Sequence, residues 1–393
     1  MGEQHVSEDI NHERLRIFTR ALLIDMWALE QMLVSGRVES GVRRIGAEQE
    51  MFLVDRKMRP APIYARILRI LNDSRFVTEL AQFNLEANVT PLEFTGRCLR
   101  VMEAELEEMI GLTRRAAAAC SAEVVLAGIL PTLTLQDLKM ENITDLPRYR
   151  ELNRTLTELR GSDFIVHIKG LDELAVTSNN MMLEACNTSF QIHYQADPEN
   201  FPALYNVAQA ITAPLLAVAV NSPVLFHKRL WHETRLALFE RSVDERSSAH
   251  LERERPPRVG FGDTWMRNSV MEMFREDAAR YRVIMTADAD EDPAAVLSRG
   301  EVPRLSALRV HNGTVWHWNR PCYGVIRGKP HLRIENRVMP AGPSVIDQMA
   351  NAALFFGLMH EMPHAYPPID TVMAFDHAKE NFYSAARHGL NAQ

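Results

Sequence analysis

Three short stretches of this chain set ionisable or amide side chains two residues apart inside otherwise apolar runs: Glu48-Gln49-Glu50, Gln191-Ile192-His193-Tyr194-Gln195 and Arg333-Ile334-Glu335-Asn336-Arg337. A strand sends residues i and i+2 to the same face, so each stretch aims its polar groups into one space. Burying several carboxylates together is costly unless cations neutralise them. A Glu-rich set with one His therefore calls for bound divalent metal, arginine partners, or both. Oxygen-rich ligation favours magnesium, with manganese as the alternative, over zinc. Any one stretch also fits the wet face of an antiparallel sheet. Three together, acidic and basic in turn, point to an active site.

Composition narrows the classes. With 393 residues, 46% of them hydrophobic, the chain can bury a large core. The balance of 44 Lys plus Arg against 51 Asp plus Glu gives a formal charge of -7, which opposes a nucleic-acid footprint spread over the surface. Small molecules are the better partners. Cys98, Cys120, Cys186 and Cys322 form no C-x-x-C pair, so neither a zinc ribbon nor a disulfide scaffold is indicated. The first twenty residues lack the apolar core of a secretory signal, and a cytoplasmic location is expected. Residues 207–226 carry no charge over a length that can span a bilayer. Pro214 and Pro223 would interrupt a membrane-spanning helix there, so a buried core helix running into a loop is expected instead.

Periodicity predicts helices over 11–38, 63–71, 99–120, 201–220, 229–242 and 344–359, and strands over 44–54, 83–89, 124–129, 163–168, 189–195, 314–318, 324–327 and 332–338. Residues 244–258 and 287–302 are polar and read as loops or lids. Strands come in hairpin-like groups, which favours α+β with a mainly antiparallel sheet over a doubly wound one. The lone Gly260-Phe261-Gly262 lacks the third glycine of a dinucleotide fingerprint, and there is no Walker loop. His360-Glu361-Met362-Pro363-His364 matches the zinc-protease pattern, but Pro363 should deny the helical geometry that chemistry needs. His311, His317 and His331 are expected in turns or structural roles. Trp316 and Trp318 alternate on a strand; core packing is the expected role over flanking a base.

Together, Gly46-Ala47-Glu48-Gln49-Glu50-Met51-Phe52, the acidic pair Glu79 and Glu86, and Asn187-Thr188-Ser189-Phe190-Gln191-Ile192-His193 resemble the glutamate-cysteine ligase type 2 family of carboxylate-amine ligases. The resemblance continues through Asn221-Ser222-Pro223, Arg235, Arg333-Ile334-Glu335-Asn336-Arg337 and Pro340-Ala341-Gly342-Pro343, in the family's order over most of residues 40–390. It implies a glutamine synthetase-like catalytic domain: a curved, mainly antiparallel sheet lined on its inner face by metal-binding carboxylates, with helices packed on the outer face. It further implies ATP and magnesium as cofactors and a metal set of Glu48, Glu50, Glu79, Glu86, His193 and Glu335, with Glu93 a weaker rival to Glu79. Glu335, Arg337 and Glu50 would be catalytic, Arg337 stabilising charge on the transferring phosphoryl group. His193, Gln191, Arg333 and Arg320 would bind the nucleotide, and Arg235 and Asn187 the substrate, Arg235 gripping a carboxylate bidentately.

The expected organisation is an N-terminal helical segment, 1–40, followed by the catalytic domain, 41–393. The chain stops soon after Ala386-Arg387-His388-Gly389-Leu390, so a substrate-covering element is expected to be missing. The form Trp318-Asn319-Arg320-Pro321-Cys322-Tyr323-Gly324 resembles a separate bacterial branch, which puts cysteine as the amine in doubt. The expected activity is formation of a γ-glutamyl amide through an acyl phosphate. The alternatives are a phosphotransferase of the related guanidino kinase fold and a non-catalytic ATP- or metabolite-binding protein. The expected partners are small-molecule carboxylate and amine substrates, with neither nucleic acid nor membrane; a homo-oligomer is compatible with this reading.

Overall fold

The computed structural model describes residues 12–246, 256–287 and 291–393. In chain order the strands are β1 (Arg44–Asp55), β2 (Phe76–Thr78), β3 (Asn84–Asn88), β4 (Leu92–Glu93), β5 (Ala122–Val125), β6 (Phe164–Lys169), β7 (Glu173–Ser178), β8 (Phe190–Ala196), β9 (Val224–Leu225), β10 (Lys228–Arg229), β11 (Val259–Gly260), β12 (Trp316–His317), β13 (Asn319–Ile326) and β14 (Lys329–Asn336). Eight of them make one curled antiparallel sheet in the order β13-β14-β8-β1-β3-β2, with β4 and β5 also pairing with β1. The α+β class with a mainly antiparallel sheet is therefore what the chain adopts.

Register decides what meets on the inner face. β1 pairs Glu48 with Gln191 and Gly46 with His193 on β8, and Glu50 with Glu86 on β3. β14 pairs Glu335 with His193, and β13 pairs Arg320 with Glu335. A slip of one residue would send this whole polar set into the core on the other side.

The outer face carries the intervening residues. Phe190, Ile192 and Tyr194 are buried there, and Tyr194 stacks on Phe356 of the helix Val345–Ala365 at 6.4 Å. Polar residues on this face are paired. Asn319 donates to Gln209 (2.6 Å) and Thr212 (2.9 Å) of the helix Phe201–Ala219 and accepts from Asn336 (2.8 Å). Gln49 accepts from Gln348 of the helix Val345–Ala365. These bonds fix the sheet on its two covering helices.

Two expectations about proline fail. Pro214 lies inside the helix Phe201–Ala219 and Pro363 inside the helix Val345–Ala365. Pro214 costs a backbone bond, but fourteen of the nineteen residues in its helix are buried and that burial outweighs it. Pro363 sits two residues from its helix end, where little continues beyond it. The helix Phe201–Ala219 is long and apolar enough to cross a membrane, yet most of it is buried inside the protein. The polar stretch 244–258 lies largely outside the described residues, and within 287–302 the chain forms a short helix, Pro293–Ser298. Three further helices carry too few regularly spaced apolar residues to be read from sequence: Met271–Arg280, Ser306–Asn312 and Phe375–His388.

The helix His12–Val34 packs on the helix Ser306–Asn312, and Asp25 accepts a hydrogen bond from the Leu308 amide at 2.9 Å. This bond caps a helix whose last residues reach the inner-face cavity. Burial pushes the Asp25 carboxyl up to about 6, against the pull of the Leu308 and Ala307 amides. Its folded pKa thus lies above its unfolded value near 3.8, so stability falls as pH rises from about 4 to 6, by up to about 3 kcal/mol. Asp25→Asn keeps an acceptor and removes the charge. Thermal melting should show it more stable than the parent by roughly 1–2 kcal/mol at pH 8, with the gain gone at pH 4.

Candidate active site

The inner face gathers two groups of potential metal ligands. Glu48, His193 and Glu335 offer one ligand atom each, all within 4.8 Å of one another, and so do Glu50, Glu79 and Glu86. All six residues of the expected metal set are in one place. Glu93 is exposed on β4 and joins neither group.

Strand periodicity delivers five of the six. Glu79 instead lies just beyond β2, where Thr144 holds its backbone carbonyl at 2.5 Å. Asn88 donates to Glu86 at 2.7 Å. Glu50 takes the Ser189 amide and the Gln191 side chain, each at 2.7 Å. Gln191 in turn accepts from Arg337 at 2.6 Å, and Arg337 donates to Glu335 at 2.7 Å. Arg320 also donates to Glu335 at 2.7 Å. Gln191 and Arg337 therefore bridge the two groups.

The groups differ in electrostatics. Burial opposes ionisation of Glu335, but Arg320 and Arg337 outweigh it and hold the carboxyl well below the usual range. Burial, then Glu86 and Glu50, push Glu79 well above its ordinary value, while burial and Glu48 push Glu86 up to about 7. Burial likewise lowers His193 to about 4, leaving it neutral. Its Nε2 lies 3.3 Å from Glu48 and 3.5 Å from Glu335, buried and without a hydrogen bond. An orphaned imidazole nitrogen between carboxylates, beside a triad of carboxylates short of positive charge, is a donor set that fits oxygen-preferring divalent ions.

Two neighbouring chambers flank these groups and share Glu48, Gly313 and Arg320 in their walls. The larger, about 560 Å³, is lined by apolar residues such as Ile45, Val89 and Leu308, with Arg44, Arg304, Arg309, Arg320 and Arg333 around them. Gly324 forms part of its wall, where a Cβ would lie 2.8 Å from the His331 ring and 3.0 Å from Arg333. The smaller, about 120 Å³, holds Glu50, Glu79, Glu86 and Arg337 together with Arg148, Tyr149, Glu184, Phe239 and Trp316. Burial and Glu50 push Glu184 up to about 8.

Arg235 is placed differently from expectation. It is buried, pairs with Glu233 at 2.9 Å, and donates to the carbonyls of Arg337 (3.3 Å) and Val338. Its guanidinium is spent on holding the backbone that carries Arg337, so it is no open fork for a substrate carboxylate. Asn187 lies outside both chamber walls, its side-chain atoms buried and unpaired. Trp318 is core, against Phe239 and Phe382, whereas Trp316 faces the small chamber. His317 bonds Asp277 at 2.8 Å and His311 the Tyr281 carbonyl at 3.3 Å, both structural. His331 lines the large chamber instead.

His360 and His364 do sit one turn apart on a helix, ring centroids 6.1 Å apart. What fails the protease pattern is the rest of the site: Arg43 bonds His360 Nδ1 at 3.0 Å, and among the described residues no third ligand joins the pair.

A family model for glutamate-cysteine ligase family 2 matches residues 44–393. The chain belongs to that family. Membership makes it an ATP-dependent carbon–nitrogen ligase of the carboxylate–amine kind. Among solved structures, the glutamate–cysteine ligase of Francisella tularensis in complex with AMP is similar at a TM-score of 0.53 and 11% identity, covering 90% of this chain and 73% of that one. A bifunctional glutathione synthetase from Pasteurella multocida matches at 0.45 and 11%, over 93% of this chain and 44% of that one. Plasmodium falciparum glutamine synthetase matches at 0.32 and 9%, over 86% and 55%. No curated protein matches the sequence.

Sequence reasoning missed Glu184, Arg148, Tyr149 and, in the large chamber, Arg44, Arg304 and Arg309; Arg320 and Arg333, the expected nucleotide-binding arginines, do line that chamber. Glu184 had one legible signal, a single acid within the apolar run Met181–Cys186.

Proposed function

We propose that this ligase uses ATP and magnesium to activate a carboxylate, in the leading case the γ-carboxylate of glutamate, as an acyl phosphate, and then passes the acyl group to an amine. The observation that carries this reading is the placement of two ligand groups, bridged by Gln191 and Arg337, at the junction of a large arginine-rimmed chamber and a small one. A nucleoside triphosphate suits the large chamber, its base against Ile45, Val89 and Leu308 and its phosphates toward Arg320 and Arg333. Arg333 Nε is buried without a partner there, as a residue awaiting an anion would be.

Glu48, His193 and Glu335 would hold one divalent ion, and Glu50, Glu79 and Glu86 another. Bound there, such ions neutralise phosphate charge. Arg337, set between the groups, would meet the oxygens of the phosphoryl group in transfer, while Gln191 and Glu335 keep its guanidinium oriented. The carboxylate substrate enters the small chamber, where the apolar wall limits water and so protects the acyl phosphate from hydrolysis. Amine attack on its carbonyl carbon then forms the amide and releases phosphate.

The test is ADP release with magnesium across a matrix of carboxylates and amines, with products identified by mass. ADP and free phosphate should appear together, dependent on both substrates. ADP without free phosphate, with a phosphorylated guanidine as product, would mark a kinase. ATP binding without ADP in every combination would mark a binding protein.

A further inference from the structure

We propose that Glu184 receives the ammonium group of the amine substrate and so makes the small chamber selective for small primary amines that arrive positively charged. The inference rests on the ligase reading above and names one of its two substrates.

Glu184 sits on the short turn Met181–Cys186, whose residues Met181, Met182, Leu183, Ala185 and Cys186 are all buried. The turn is fastened at its start: Met182 N donates to the Asn180 side chain and Met181 N to the Asn153 side chain, each at 3.0 Å. Its single charged side chain lines the small chamber. Among the described residues, the Glu184 carboxylate accepts no hydrogen bond, forms no ion pair and belongs to neither metal-ligand group. Arg337 is the cation it feels, and that guanidinium is already bonded to Gln191 and Glu335.

A partly buried acid without a partner is unfavourable unless something positive visits it. The metal ions have their own ligands, and the carboxylate substrate is itself an anion. The amine is the reactant with the matching charge, since an alkylammonium stays protonated at neutral pH, as a lysine side chain does. Phe239 and Trp316 meet edge to face at 6.0 Å beside Leu152 and Val243, an apolar wall for the amine's carbon chain. The chamber, about 120 Å³, also takes the reacting carboxylate, so that chain is short.

Glu184→Gln keeps the shape but cannot ionise against a bound ammonium. Two nucleophiles separate the roles: ethylammonium, which is charged at neutral pH, and hydroxylamine, which is not. With the carboxylate found by the ADP-release matrix, parent enzyme should form hydroxamate from hydroxylamine, and ethylamine should either be ligated or compete with hydroxylamine. In Glu184→Gln the apparent KM or Ki of ethylammonium should rise by about tenfold or more, the loss of one charge-assisted hydrogen bond. The KM for ATP and the rate with hydroxylamine should stay within about twofold of the parent, which also shows that the variant is folded. Unchanged ethylammonium values in the variant overturn the proposal, as does a parent enzyme with which ethylamine neither reacts nor competes. An equal loss with both nucleophiles makes Glu184 structural and also overturns it. A parent that forms no hydroxamate from any carboxylate defeats the ligase reading itself, a different result from the others.

Discussion

Glu335→Gln is expected to abolish ligation, lowering turnover on the order of a thousandfold or more, while the chain remains folded. Glu335 is fully buried, is held ionised by Arg320 and Arg337, each 2.7 Å away, and lies 3.5 Å from the His193 ring. The amide keeps the shape but gives up the charge. Arg320 then loses a buried partner, which should cost about 3 kcal/mol and lower the melting temperature by several degrees. Manganese titration followed by water-proton relaxation should count one tight ion fewer per chain than in the parent. Unchanged turnover in the variant would remove Glu335 from the metal assignment.

Arg337→Ala should act on kcat rather than on binding. The guanidinium lies between the two ligand groups, oriented by Gln191 at 2.6 Å and Glu335 at 2.7 Å, and Arg235 supports its backbone carbonyl from behind. A donor aimed at charge that grows only during phosphoryl transfer contributes about 3 kcal/mol, so kcat should fall a hundredfold or more with the KM for ATP changed little. Arg337→Lys should recover only part of it, because an ammonium cannot bond Gln191 and Glu335 while also facing the phosphoryl oxygens. A variant that raises the KM for ATP and leaves kcat intact would place Arg337 in ground-state nucleotide binding instead.

The legible half of this site is the half that lies on strands. Glu48, Glu50, Gln191, His193, Arg333, Glu335 and Arg337 follow a period of two, and antiparallel register on β1, β8 and β14 then leaves them one common face. Glu79 carries no such period. Its position depends on a tether from Thr144, sixty-five residues away in sequence, so only the family resemblance could select it over Glu93. Arg235 shows the opposite limit, since residue type fits a substrate grip while tertiary packing commits the guanidinium to Glu233 and two carbonyls. Prolines 214 and 363 misled because a local cost of about 3 kcal/mol is small beside the burial of a long core helix or falls near a helix end. The large chamber's Arg304 and Arg309 come from a loop and a short helix, placed by contacts such as Asp25 with Leu308 that no periodicity announces.

Oxygen-18 in the substrate carboxylate tests the mechanism most directly. If the carboxylate attacks the terminal phosphorus of ATP, one labelled oxygen stays bridging in the acyl phosphate and leaves with phosphate when the amine attacks the carbonyl carbon. Mass analysis should find one oxygen-18 in the released phosphate for each amide formed. Amide accompanied by unlabelled phosphate, or by label in AMP, would contradict the acyl-phosphate account.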